Sequence, residues 1–248
     1  NNTFTQGKIL MTLTNLVSSF AMGTTVLLGQ QIGCGERKQG GRTVGTAIVM
    51  FTVIALVMTA VLVIFAPQVS SIMNAPEEAF DKTVAYVRIC GGGMLVIVAY
   101  NLIGCIFRGI GDSRTPLFTV AVACVFNIAG DLILCAGFKM GTSGAAFATV
   151  FAQGCSMLFC IIYLKHHDFM FDFKPSSFHF IKEEFHTLLR TGLPLSIQMV
   201  GTNFSFLILT TFINRAGGVA ASAAAGIVNN FNGFAILPEA AISSAASA

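Results

Sequence analysis

The residue best placed to do chemistry is an aspartate inside an otherwise uncharged stretch. Between Pro116 and Phe138 the apolar run is interrupted by two strongly polar side chains, Asn127 and Asp131. Four residues apart, they share one face of a helix, a turn from each other. A charged side chain at mid-membrane costs about 2.5–3.5 kcal/mol on insertion scales, so it is rare without a role. Counted from Pro116, Asp131 falls in the outer half of a bilayer. With Asn127 and a threonine on the following helix, such as Thr149, it can offer oxygen atoms to a proton or a sodium ion. Oxygen ligands suit a hard cation. The structural alternative is a hydrogen-bond network that ties helices together and binds nothing.

Glu239, directly after Pro238, is the second carboxylate within an apolar stretch. Pro194 and Pro238 each sit inside such a stretch and should bend it. A bend of that kind can line a cavity. Gln198 and Asn203, with Asn229, Asn230 and Asn232, are uncharged and polar, and suit either a wet cavity or cross-helix hydrogen bonds.

The motifs of enzymes are missing: there is no HExxH, GxSxG or P-loop. The two glycines of the RGIGD turn open an apolar helix, so they make a weak phosphate cradle. Without a nucleotide site, transport would draw on an ion gradient rather than ATP, and no cofactor or nucleic-acid partner is expected. The seven cysteines lie mostly in apolar stretches without CxxC spacing and read as small hydrophobes. The four histidines (166, 167, 179 and 186) read as solvated loop residues rather than metal ligands.

The elements that would position these residues are set by composition. Of 248 residues, 54% are hydrophobic and only 10% charged, against about 25% charged in soluble domains. The mean hydropathy is +0.78. A spanning helix needs about 20 apolar residues, and seven stretches qualify: 9–34, 43–66, 83–107, 116–138, 142–164, 189–214 and 219–248. The fold class is therefore all-α and integral to the membrane, a polytopic helical bundle. Glycine and alanine clusters such as Gly91–Gly93 and Gly144–Ala146 suit close helix packing.

Loop cations give the orientation. Nine Lys or Arg residues fall on loops 35–42, 108–115 and 165–190, and four on the other side. The richer side is expected to be cytoplasmic. Between 165 and 190, Phe178, Ile181, Phe185, Leu188 and Leu189 recur at helical spacing with Lys182, Glu183, Glu184 and His186 between them. That pattern predicts an amphipathic helix at the membrane interface. It also suggests a division into residues 1–164, a linker 165–188, and residues 189–248. Neither terminus reads as a natural end, so the chain is taken as part of a longer protein.

The run RGIGDSRTPL at Arg108–Leu117, then NIAGDLIL at Asn127–Leu134, then GTSGAAFAT at Gly141–Thr149 resembles the multidrug and toxic compound extrusion (MATE) transporters. QQIGCGERKQG (Gln30–Gly40) and TGLPLSIQ (Thr191–Gln198) are similar to the family's turn after helix two and the opening of helix seven. The resemblance implies a twelve-helix, two-lobe transporter of which this chain supplies helices two to eight. It implies a cation site at Asn127, Asp131 and Thr149, lacking an aspartate on a first helix outside the chain. A second-lobe carboxylate found in some members is replaced near Asn203. The activity implied is antiport: export of amphipathic or cationic small molecules against H⁺ or Na⁺, by a monomer in the plasma membrane. A flippase for lipid-linked precursors, of the same wider superfamily, is the alternative. It would need cations facing the cavity, whereas the spans hold only Arg88.

Overall fold

The computed structural model describes residues 2–72, 80–166 and 180–202, with positions 204, 205, 208, 228, 236, 238 and 242. Among these residues the secondary structure is helical, with no strand. Helix α1 (Asn2–Gly33) turns back into α2 (Arg37–Ile64), succeeded by the short α3 (Ala66–Ile72). Then come α4 (Phe80–Gly92), α5 (Met94–Gly109), α6 (Arg114–Asp131) with a π-helical turn at Leu132–Gly137, and α7 (Gly141–His166). A last continuous helix, α8, covers residues 182–202.

Each tight turn has a local cause. Between α1 and α2, Gly35 sits at φ +80, and the amides of Gly35 and Glu36 donate back to the carbonyls of Ile32 and Gln31 at 2.9 and 2.8 Å. Glycine takes that left-handed backbone without a Cβ penalty and so closes the helix end. Between α5 and α6, Asp112 precedes the N-cap residue Ser113, and its side chain does the capping. Its Oδ1 accepts from the amides of Arg114 and Thr115 at 3.0 and 3.1 Å, and its Oδ2 from Thr115 Oγ1 at 2.6 Å. Those amides begin a helix and have no partner within it. Pro116 comes in the first turn, where its missing N–H costs nothing.

The apolar core joins α1, α2, α4, α5 and α8. Leu28, Ala47, Phe51, Met94, Ile97, Cys105 and Leu188 are among its buried members. Phe20 and Phe51 meet across α1 and α2 with ring centroids 5.4 Å apart. Helix α6 stands apart from this core. It buries only Thr115, Pro116 and Thr119 and leans chiefly on α7, leaving Leu117, Phe118, Val125 and Ile128 exposed on its far side. An apolar surface of that extent suits lipid or further helices.

Two sequence expectations are revised. The span 83–107 is two helices, α4 and α5, bent by 50° at Gly93. A Cβ on Gly93 would lie 2.4 Å from Val150 Cγ2, so the break admits α7 where any larger side chain would collide. The span 116–138 ends in a π turn from Leu132 rather than a plain α-helix. Helix α8 runs without interruption through 188 and 189, where the sequence suggests that linker gives way to span. Its face at Leu188 is buried in the core, so the end of the expected linker and the start of the expected span pack as one helix. Phe178 and most of the linker fall outside the described residues, as does most of 203–248. Among the described residues, α2, α6 with its π turn, and α7 are long and apolar enough to cross a membrane, and the bent pair α4–α5 passes the same length and composition test only when its two helices are taken together.

Candidate cation-coupling site

Helices α6 and α7 run antiparallel, joined by the turn at Phe138–Met140, and small residues bring them close. A Cβ on Gly130 would lie 2.9 Å from Ala148 Cβ, and one on Gly144 would lie 3.1 Å from Leu134 Cβ. Small residues at such a crossing let backbones approach to a distance where short polar side chains can meet. One turn from Gly130, they do. Asn127 Nδ2 donates to Thr149 Oγ1 at 3.3 Å, and Thr149 Oγ1 donates to the carbonyl of Ala145 at 3.0 Å. The threonine hydroxyl has one proton, committed to the backbone, so its oxygen is left as an acceptor. Phe126 and Phe151 pack edge to face beside the pair, centroids 6.3 Å apart.

Asp131 lies at the end of α6, one turn on from Asn127, and is half-buried. Its Oδ1 is buried and has no hydrogen-bond partner among the described residues. The π turn begins at the next residue, Leu132. It closes the C-terminal end of the helix, a place where such turns are common. A buried, unbonded carboxylate oxygen is costly to keep, because desolvation is not repaid. An arriving proton or oxygen-seeking cation would repay it.

On α7, one turn beyond Thr149, Gln153 Oε1 is likewise buried without a partner. Sequence reasoning passed over Gln153, although its spacing from Thr149 puts it on the same helical face. Three further groups reach between helices in the same bundle: Ser18 Oγ donates to Asn101 Oδ1 at 3.0 Å, Thr25 Oγ1 to the carbonyl of Cys105 at 2.9 Å, and Ser156 Oγ to that of Thr119 at 2.9 Å. These are fully used in holding helices together, which sets Asp131 apart. Among the described residues no three His, Cys, Asp or Glu side chains cluster to hold a metal ion. The ligand set available at Asp131 is one carboxylate with neutral oxygen donors.

The other candidates are scattered. Pro194 and Gln198 are both exposed on α8, and α8 continues through Pro194. A cavity of about 410 Å³ opens between α1, α2 and α8, lined mainly by apolar side chains including Phe20, Ile54, Met58 and Ile197. Neither Pro194 nor Gln198 lines it. Pro238 is helical and exposed. Asn203 and Glu239 lie outside the described residues.

Residues 6–133 match the family model described as MatE. The chain is 30% identical over 223 residues to the probable multidrug resistance protein YoeA of Bacillus subtilis (strain 168), covering 87% of this chain and 48% of that protein. It is 26% identical over 211 residues to the probable multidrug resistance protein YpnP of the same organism, covering 84% and 46%. Its fold is similar to a structure described as the outward-facing conformation of a multidrug resistance MATE family transporter of the MOP superfamily. There the TM-score is 0.89 at 22% identity, over 97% of this chain and 53% of the other. The chain thus spans about half the length of the relatives it matches.

Proposed function

The chain belongs to the MatE family, and from that premise we propose that it works in a secondary active antiporter exporting amphipathic or cationic small molecules in exchange for H⁺ or Na⁺. The observation that carries the coupling is the buried, unbonded Oδ1 of Asp131 beside the Asn127–Thr149 hydrogen bond. An antiporter needs a group whose ion occupancy differs between its two access states, since only differential affinity shifts such an equilibrium. Asp131 takes that role here, with Asn127 and Thr149 supplying oxygens next to it. The small-molecule substrate is bound elsewhere, and the protein works as a monomer in the plasma membrane, with loops 35–42, 108–115 and 165–190 in the cytoplasm. Residues 1–164 belong to one lobe, 165–188 to the connection, and 189–248 to the start of a second. The apolar lining of the cavity between α1, α2 and α8 favours export over the flippase reading, because a charged headgroup would find no cation there.

The experiment is substrate efflux from proteoliposomes holding the intact protein, under an imposed H⁺ or Na⁺ gradient. Asp131→Asn keeps the shape and removes the titratable charge. It should abolish gradient-driven efflux while insertion and substrate binding persist. Asp131→Glu should keep partial activity if protonation is what matters, and less if a tight sodium cage is required. Full gradient-driven efflux from the asparagine variant would assign Asp131 to structure and end the coupling proposal.

A further inference from the structure

Glu184, on a helix whose pattern suggested an exposed polar face, is only 7% exposed. Its Oε2 accepts from Gln31 Nε2 at 3.3 Å, near the end of α1, and from Thr43 Oγ1 at 3.0 Å, near the start of α2. Thr43 Oγ1 also stands 2.8 Å from Gln31 Oε1. Its single proton therefore serves one oxygen or the other. Beside this cluster the amide of Ile181 donates to Thr46 Oγ1 at 3.3 Å. Both partners of the carboxylate are uncharged, and both are buried.

The contact of α8 with α1 has three parts in order along the helix. At one end is the Glu184 cluster. Eight residues on, Gly192 meets Gly23 so closely that a Cβ on Gly23 would lie 2.6 Å from Gly192 Cα, and one on Gly192 would lie 2.7 Å from the carbonyl oxygen of Phe20. Beyond that crossing the helices part, and the 410 Å³ cavity opens between Leu16 and Phe20 of α1 and Ser196 and Val200 of α8. One end is shut by a buried charge, the middle is backbone against backbone, and the other end is open.

We propose that Glu184 is a conformational latch. It holds α8 against the α1–α2 turn, and its release lets α8 tilt over the Gly23–Gly192 contact, opening the turn end while the cavity closes. This rests on the exporter reading, which requires two access states. The physics suits a latch. A buried carboxylate held by neutral donors is a poor stabiliser, because desolvation offsets most of the gain, yet losing one donor leaves part of that desolvation unrepaid. The residues just outside the cluster, Cys34, Gly35 and Glu36, are exposed. A small displacement therefore gives Glu184 water in place of Gln31 and Thr43, so the held and released states lie close in free energy.

The test uses Leu188→Cys, at a position buried at the latched end (1% exposed), and Ser196→Cys, at a residue lining the cavity. Each is placed in the intact protein, in membranes, without the native exposed cysteines. Labelling with a water-soluble maleimide is tracked over time with no gradient and no drug, so the outcome is independent of gradient-driven efflux. Thr43→Val and Glu184→Ala should each raise labelling at Leu188→Cys roughly tenfold, the factor that one hydrogen bond to a charged group commonly supplies. Both should slow labelling at Ser196→Cys. Glu184→Gln, which keeps an acceptor oxygen, should shift both rates the same way by less. Loss of packing alone would raise both rates together. That result, or unchanged rates in all three variants, overturns the latch.

Discussion

Gly130→Ala is the perturbation that most directly separates geometry from stability at the candidate site. The added Cβ would stand 2.9 Å from Ala148 Cβ and 3.3 Å from Ala148 Cα. Neither atom can swing away. Comfortable carbon–carbon contact begins at about 3.5 Å, so α6 and α7 must separate by roughly 0.6 Å at this level. The Asn127–Thr149 hydrogen bond is already 3.3 Å long. Adding a shift of roughly 0.6 Å along it would carry the bond past ordinary hydrogen-bond range. The stability account is a modest net loss, about 0.5–3.5 kcal/mol. Overpacking costs about 1–3 kcal/mol, and replacing glycine inside a helix returns about 1 kcal/mol. The lost hydrogen bond adds about 0.5–1.5 kcal/mol. The variant should therefore insert and melt within several degrees of the parent, while gradient-driven efflux in proteoliposomes falls at least tenfold. Ala148→Gly removes the opposing methyl, so the double variant should recover most of the efflux. Full activity in Gly130→Ala would refute the claim that the α6–α7 spacing tunes the site. So would a double variant that regains its melting temperature without regaining efflux.

Much of this arrangement is written in the sequence, and the misses share a cause. Spans such as α2, α6 and α7 could be placed because each is set by its own run of apolar residues. Asn127, Asp131 and Thr149 stood out because a polar residue is conspicuous in such a run, and the structure joins Asn127 to Thr149. The bend at Gly93 depends on Val150, 57 residues away in the chain and visible only once α7 is packed. The π turn at Leu132 leaves no mark in hydropathy, because it changes the winding of the helix and not the type of its residues. Glu184 was the largest miss, although a signal existed. Counting back by fours from Ser196 gives Gly192, Leu188 and Glu184, one stripe of a helical face. Three of those four positions are small or apolar, and all four are buried. The charge of Glu184 points to solvent and its register to the core, and the register is the better guide.

The turns carry two further expected outcomes. Asp112→Ala should lower thermal stability by about 1 kcal/mol, the usual cost of losing a helix cap, since Asp112 serves two amides and one hydroxyl at the start of α6. Asp112→Ser should restore part of that loss in a detergent melt, and an unchanged melt in the alanine variant would show that the turn is held by other means. The second outcome concerns sidedness. Cys34 is exposed in the α1–α2 turn, and Lys139 is exposed in the α6–α7 turn at φ 55. Counting α2, the bent pair α4–α5, and α6 as one crossing each puts an odd number, three, between the two turns. Cys34 and Lys139→Cys should then label from opposite faces of the membrane, with Cys34 on the cytoplasmic side that the loop cations favour. Labelling from one face would mean that α4 and α5 do not together make one crossing. The 50° bend at Gly93 would then mark a re-entrant turn, and α6 would enter the membrane from the opposite side, carrying Asp131 to the cytoplasmic half.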